Sequence, residues 1–356
     1  MSDVQVHEPP HSIGIWYSFL RWFDSWAGLE LTKSDGAPSD GPPKVDWIRS
    51  VPFIVLHLMC LGIFWVGWSW TAVAVAIGFY FIRMFAITGW YHRYFSHRTF
   101  KTSRTVQFLF ALLGGTCTQR GPLWWAGHHR HHHIASDTPE DVHSPRQGGF
   151  WWSHMGWIMS QTFYAPRLKG ISDFAKFPEL RFLDRFDVLV PTLTGFGMFG
   201  VGKLLEAYAP ELGTNGPQML IWGYFISTVA LFHGTCTINS LSHVYGGQRY
   251  ETGDDSRNNF FLALITMGEG WHNNHHYYPA STRQGFYWWE IDMTYYCLKG
   301  LEWLGLVWDI REVPSYVREG KTRQDSDRSV LKKKIEAAVK ATEIPAPQPQ
   351  LELTPP

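Results

Sequence analysis

The sequence predicts an all-α integral membrane protein with four transmembrane helices and a helical cap on their cytoplasmic side. Three observations carry this expectation. Four apolar runs, at residues 51–68, 70–90, 186–205 and 218–240, approach the ~20 residues that a hydrocarbon core of about 30 Å requires. Nineteen tryptophans suit a chain that sits at a membrane–water boundary, where the indole ring is favoured. Histidines gather in three clusters at the edges of the apolar runs: HRYFSH, HHRHHH and HNNHH.

From the N-terminus, residues 13–31 place Ile15, Trp16, Phe19, Leu20, Trp22, Phe23 and Trp26 at roughly helical spacing, the pattern of an amphipathic helix lying in the interface or packed on the catalytic region. Residues 32–44 are rich in Pro, Gly and Asp and read as a linker. No basic segment followed by an apolar core opens the chain, so a cleavable signal peptide is not expected. The first two apolar runs follow, with Arg83 in the second either snorkelling or facing the protein interior. Residues 105–118 form a shorter apolar stretch, interrupted by Gly114 and Gly115. If it crossed the membrane, the first two histidine clusters would face opposite sides, so it is expected to be a shallow or re-entrant helix. The third run contains Pro191 and several glycines, which membrane helices tolerate. Beyond Arg318 the chain is charged, with a run at Lys332–Lys334, and ends in a proline-rich segment read as a solvated helix and a disordered tail. The expected organisation is an N-terminal segment over 1–50, a membrane domain over 51–312 and a tail over 313–356.

Charge sets the orientation and excludes a partner class. Arg93, Arg98, Arg130, Arg146, Arg167, Lys169 and Arg185 crowd residues 92–185, whereas the Ser69–Trp70 connection has no basic residue and the 206–217 connection has only acidic charge. The positive-inside rule then puts the histidine side and both termini in the cytoplasm. With 31 basic and 31 acidic residues the chain lacks the positive field that nucleic acid requires. Cys60, Cys117, Cys236 and Cys297 form no CxxC pair, which argues against a disulfide framework or a cysteine-held iron.

The histidine spacings point to metal. In HxxHH the imidazoles stand at i, i+3 and i+4, on one side of a helix. The motif occurs twice, as His129, His132, His133 and as His272, His275, His276. His92 and His97 lie five apart and diverge on an ideal helix, so a pair at a helix end is expected to offer one ligand to each of two metals. A single tetrahedral zinc would leave about half of these groups idle; two metals use them all. His7, His11, His57 and His233 are expected to be structural, His143 and His154 are open to either role, and His128 and His131 fall outside the i, i+3, i+4 pattern.

The order HxxxxH, HxxHH, HxxHH on a four-span scaffold resembles the membrane fatty-acyl desaturases, most nearly the acyl-CoA delta-9 (stearoyl-CoA-type) group and its bacterial relatives. The resemblance runs from about Val51 to Trp308 and includes HRYFSHRTF, RGPLWWAGHHRHHH, GGFWWSHMGW, GEGWHNNHHYYP and an NxxxH pair, Asn239 and His243. It implies a non-haem centre of two ferrous ions (di-iron) held by His92, His97, His129, His132, His133, His243, His272, His275 and His276, with Asn239 acting through a water. The spacings alone do not select iron over zinc, because imidazole suits both.

The implied reaction is a dioxygen-dependent removal of two hydrogens from a saturated acyl-CoA, leaving a cis double bond. Two electrons must come from outside. The sequence shows no haem-binding HPGG segment, cysteine cluster or GxGxxG fingerprint, so a ferredoxin, b-type cytochrome or reductase is implied, docked on the basic cytoplasmic face. The lipid bilayer and a fatty-acyl substrate are the other expected partners, and the bacterial inner membrane is the expected location. Glu269 is expected to orient a ligand imidazole, with Asp137 and Asp141 as further candidates. Gln119, Trp125 and Thr235 match the positions that line the family's bent acyl tunnel. One departure stands out. Animal acyl-CoA desaturases carry Arg-Asp just before HxxHH, whereas this chain has Gly127-His128, which leaves a phospholipid or acyl-carrier substrate open. A related hydroxylase is the nearest rival reading, although the HExxH and later NYxEHYG-like segments of alkane monooxygenases do not occur. A metal transporter would place ionisable ligands inside the spans, unlike the clusters here.

Overall fold

The computed structural model describes residues 15–29 and 44–320. The expected linker, apart from Lys44, and the tail beyond Gly320 lie outside the described residues, as do His7 and His11. The chain divides into two units, residues 1–312 and 313–356. In the described part of the second, Ser315–Arg318 forms one helical turn.

The first unit is almost wholly helical. Its two short strands, Lys101–Thr102 and Val307–Trp308, pair antiparallel with Lys101 opposite Trp308. Among the described residues, three helical segments, Trp47–Val66, Trp70–Ser96 and Gly216–His243, are long and apolar enough to cross a membrane. The first exposes an apolar surface along most of its length, with only 11% of its most apolar window buried. Asp46 caps its start by accepting from Arg49 N at 3.0 Å. Gly67, at φ +65°, ends it, and Ser69 caps the next helix by accepting from Ala72 N at 3.1 Å. This three-residue connection leads from one capped helix end directly into the next.

The third expected run departs from a straight span. Helices Pro178–Arg185 and Leu189–Tyr208 meet at 72° and together are long and apolar enough to cross; if the pair is one span, the spans among the described residues number four. The bend has a cause in the side chains around it. Buried Asp184 accepts from Trp124 N at 2.7 Å and from Trp26 Nε1 at 3.0 Å, while Asp187 pairs with Arg120 at 2.8 Å. These contacts hold the polar end of the run against other segments and turn the apolar part away.

Residues 105–118 fall largely in the helix Arg104–Gly115, too short to cross. A Cβ at Gly114 would lie 2.1 Å from the Tyr91 ring, so glycine lets this helix close on the second span. Phe110 stacks on fully buried Trp90 with centroids 3.9 Å apart. Trp90, Tyr91, Phe95, Phe100 and Leu180 form the core beside the histidine face, each buried aromatic contributing about 1.5–3 kcal/mol by removal from water. Arg83 faces this interior, with no exposure, donating to Thr116 O, Thr228 Oγ1 and Ser227 Oγ. It does not snorkel.

Candidate metal centre

The second span changes from α-helix at Trp70–Phe85 to π-helix at Ala86–Ser96. A π-helix closes i to i+5, and such segments recur at functional sites. Here the wider turn brings residues five apart onto one side. His97 N bonds His92 O at 3.2 Å, and the two rings lie 4.9 Å apart. His92 and His97 therefore join the same ligand group instead of serving one metal each. The divergence expected from α-geometry does not occur.

Nine imidazoles form two groups, His92, His97, His129, His133 and His275 in one, His132, His243, His272 and His276 in the other. Within each group the candidate ligand atoms all lie within 4.8 Å of one another. Each HxxHH helix serves both. Helix Pro122–Ala135 sends His129 and His133 to the first group and His132 to the second; helix His272–Tyr277 sends His275 to the first and His272 and His276 to the second. An i, i+4 pair aims together, and the i+3 residue diverges enough to reach the other group. The two sets of histidines are thus interleaved, with each motif tying the groups together.

The nitrogen geometry suits metal ions. In the first group, Nε2 atoms approach at 2.9 Å for His92–His275 and His97–His129, and at 3.0 Å for His129–His133 and His133–His275. With metal–imidazole bonds of about 2.1 Å, ligands at right angles lie about 3.0 Å apart and tetrahedral ones about 3.4 Å. These spacings are close enough for several imidazoles to meet one ion. His276 Nε2 is buried without a partner, as a ligand atom aimed at an ion would be.

Carboxylates fix the rings from behind. Glu269 faces His92 Nδ1 at 2.5 Å, Asp141 faces His132 Nδ1 at 3.1 Å, Asp137 faces His243 Nδ1 at 2.9 Å, and Asp254 faces His276 Nδ1 at 2.6 Å. Each contact places the ring proton on Nδ1 and leaves the Nε2 lone pair for a metal. Burial pushes His97, His129, His133, His272 and His275 well below the usual imidazole range, reinforced by neighbouring imidazoles. They are neutral, the form that binds metal. Burial opposes ionisation of Asp137, Asp141 and Asp254, but their histidine partners outweigh it and hold all three well below the carboxylate range.

A cavity of about 760 Å³ opens beside the histidines and is lined by His129 and Asn239. Its wall continues through Thr192, Gly195, Phe199, Leu220 and Tyr224 of the membrane helices. Several non-glycine residues around this region have left-handed backbones: Arg98, Thr118, Arg120, Asp137 and Met267, at φ between 53° and 70°. Such conformations are costly and cluster where a fold holds a functional geometry.

The chain matches the fatty acid desaturase family model over residues 54–303. It belongs to the fatty acid desaturase family. An acyl-CoA 5-desaturase of Anemone leveillei is 36% identical over 305 residues, covering 82% of this chain and 90% of that protein. An sn-1 stearoyl-lipid 9-desaturase of Anabaena variabilis is 34% identical over 272 residues, covering 76% and 95%. Delta-9 acyl-lipid desaturase 1 of Arabidopsis thaliana is 35% identical over 272 residues, covering 75% and 84%. This desaturase is accordingly a membrane oxidoreductase for fatty-acyl chains.

The three positions matched to the acyl tunnel all line the cavity of the desaturase. Gln119 Nε2 donates to Thr235 Oγ1 at 3.0 Å, and the Trp125 ring stacks on His129 at 5.0 Å. Asn239 lines the same cavity while its carbonyl accepts from Ser153 Oγ. The two expected head-group positions do not line it: His128 is buried with Nε2 against Ala165 O at 3.0 Å, and Gly127 packs on Arg167. His57, His233 and His154 form a chain of ring contacts at 3.2 and 2.9 Å. His143 packs on His132 and faces Asp141.

Sequence reasoning missed Asp254, which sits in a polar loop with no spacing relation to the histidines. It also missed Arg93, which bridges Glu269 and Asp292, and Gln284, which donates to Glu269 at 3.0 Å. Of these, only Arg93 had a signal, a cation directly following a candidate ligand.

Proposed function

We propose that this desaturase introduces a cis double bond, at the ninth carbon, into a saturated fatty-acyl chain, using a di-iron centre and dioxygen. The observation that supports this most is the pair of interleaved histidine groups beside an acyl-sized cavity, whose volume lies within the ~300–1,000 Å³ of small-molecule sites. His92, His97, His129, His133 and His275 would hold one iron; His132, His243, His272 and His276 would hold the other, with Asn239 completing it through a water. The acyl-CoA carrier expected from the sequence and an acyl-lipid carrier both occur among the relatives, and the position of the double bond rests on the two lipid 9-desaturases.

When bound, the irons with dioxygen supply the oxidising power to remove hydrogen from an unactivated methylene, which no side chain can do. The reaction consumes one dioxygen, two electrons and two protons for each alkene formed and releases two waters. The chain's own residues perform the positioning. Trp125, stacked on His129, and the Gln119–Thr235 pair form the wall that sets which methylenes face the centre. Glu269, Asp141, Asp137 and Asp254 orient the ligand rings. The membrane-side apolar wall receives the methyl end and excludes water. A ferredoxin, b-type cytochrome or reductase delivers electrons from the cytoplasmic side of the bacterial inner membrane, a reading supported by the basic residues between 92 and 185 on the histidine side.

Expression in a host lacking its own desaturase, followed by double-bond mapping in each lipid class, tests this. Δ9 alkenes and about two irons per chain are expected, and His132→Ala should abolish alkene formation while membrane insertion persists. An alcohol product, or activity retained in His132→Ala, would overturn the reading.

A further inference from the structure

The lining of the cavity also carries positive charge. Arg21, Arg49 and Arg120 line it, with only Asp187 as a cavity-lining carboxylate. Arg21 is 5% exposed; its Nε donates to Ala27 O at 3.2 Å, while its Nη1 and Nη2 are buried with no main-chain or carboxylate hydrogen bond. Tyr164 packs on its face, 3.3 Å from Cζ, and Asp46 Oδ2 comes no nearer than 4.0 Å. Asp46 is committed elsewhere: it accepts from Arg49 N at 3.0 Å and Ser18 Oγ at 2.7 Å. Arg49 donates Nη2 to Ile158 O and Ser160 O, and its Nε is buried without a partner. Arg120 pairs with Asp187 and donates to Tyr164 O. Asp46 and Asp187 face these three guanidinium groups, with Asp184 near Arg120 as a further carboxylate, and none of them hydrogen-bonds the Nη atoms of Arg21.

A buried guanidinium whose terminal nitrogens have no anion at hydrogen-bond distance is costly, and its donor fork matches the oxygens of a phosphate. We propose that Arg21, Arg49 and Arg120 bind the phosphodiester of a glycerophospholipid whose acyl chain lies in the cavity, so that the desaturase acts on a phospholipid-bound chain. This rests on the desaturase reading above and names its substrate class.

Connectivity favours a phosphate close to the acyl ester. Arg120 directly follows Gln119, whose amide bonds Thr235 on the acyl wall, and the helix bearing His129 begins at Pro122. In a glycerophospholipid only the glycerol separates phosphate from ester. In coenzyme A the whole pantetheine arm intervenes, which would carry its phosphates past these guanidiniums. A galactolipid offers no anion for them at all.

The test uses the full-length, iron-loaded enzyme in nanodiscs with an electron supply, given distearoyl phosphatidylglycerol, distearoyl monogalactosyldiacylglycerol or stearoyl-CoA. The wild type should desaturate the phospholipid with a KM at least about tenfold below that of the galactolipid, a factor equal to one strong polar contact. Arg21→Gln should raise the phospholipid KM by a similar factor with little change in kcat or iron content, and should leave the galactolipid KM unmoved. Arg21→Lys should recover part of the loss. Equilibrium binding of phosphatidylglycerol to the iron-loaded protein should weaken in parallel. Equal KM values for the two lipids, an unchanged phospholipid KM in Arg21→Gln, or turnover of stearoyl-CoA alone would overturn this proposal while leaving desaturation intact. No alkene from any of the three substrates would instead overturn the desaturase reading on which it stands.

Discussion

His276 donates through Nδ1 to Asp254 Oδ2 at 2.6 Å, the shortest of three imidazole–carboxylate contacts behind the second histidine group. The first group, with five imidazoles, has one such contact, from His92 to Glu269. Three anions behind four imidazoles make the second group the more electron-rich site, so it should hold its metal more tightly. Asp254→Asn removes one of those charges and lets the amide turn either atom to the ring. Loss of such a partner costs about 10–100-fold in metal affinity. Metal titration of the apoprotein should show two classes of site in the wild type and a weakened tighter class in the variant. Two indistinguishable sites in the wild type would refute the asymmetry.

The same burial predicts how the metal-free protein responds to acid. His276 is pushed down to about 4, because burial disfavours its charged form more than Asp254 supports it. Its folded pKa lies below the unfolded value of about 6.5, so its contribution is fully present above pH 6.5 and is lost as pH falls toward 4. The loss for this one residue is about 3 kcal/mol. His97, His129, His133, His272 and His275 shift in the same direction. His132 runs the other way: burial opposes its charge, but Asp141 outweighs it and raises the pKa. The balance is destabilising, and the Tm of the apoprotein in detergent should fall steadily from pH 7 to 4.5. With metal bound, the curve should stay flat until the metal is released. A Tm independent of pH between 7 and 5 in the apoprotein would contradict this.

The membrane-helix wall of the cavity should set the acyl length. Gly195 lines it, and a Cβ added there would sit 3.4 Å from the Tyr224 ring, an ordinary contact. Gly195→Ala should therefore be tolerated, whereas the ring of Gly195→Phe has to enter the cavity. With a mixture of acyl chains, Gly195→Phe should turn over shorter chains in preference to eighteen-carbon ones, at unchanged iron content. An unaltered chain-length profile would place the methyl end elsewhere.

Much of the centre was legible because α-helical spacing is a local property. The two HxxHH motifs each bring three imidazoles to one helix face, and this needs no knowledge of the fold. Their division between two groups depends on where the two helices lie relative to each other, which spacing does not encode. His92 and His97 were misjudged for a different reason. A π-helix over Ala86–Ser96 has no sequence signature of its own and is stabilised by tertiary packing around Trp90 and Tyr91. Asp254 lay hidden among ordinary loop acids, and Arg21 among aromatic residues of an amphipathic stretch, because burial of a charge becomes visible only when distant segments meet. The bend between Arg185 and Leu189 had the same origin, in long-range contacts of Asp184 and Asp187.

Arg93 links the first histidine group to the rest of the fold through two carboxylates. Its Nη1 donates to both Asp292 oxygens, at 2.9 and 3.0 Å, and its Nη2 donates to Glu269 at 3.0 Å. Glu269 in turn meets His92 at 2.5 Å and accepts from Gln284 at 3.0 Å. All of these side chains are buried, so neither carboxylate can recruit water if the guanidinium goes. Arg93→Lys keeps the charge but supplies one ammonium where a planar fork spans two anions. One carboxylate is then left uncompensated, at a cost of up to about 3–5 kcal/mol for a broken buried pair. If the lysine stays on Asp292, Glu269 loses its anchor and His92 loses its fixed ring orientation. The variant should unfold at a lower temperature and lose metal from the first group before the second. Glu269→Gln keeps the shape and should lose metal from that group with a smaller fall in Tm, because Arg93 still has Asp292. Equal metal loss from both groups in Arg93→Lys would mean that Arg93 supports the fold as a whole and does not position His92.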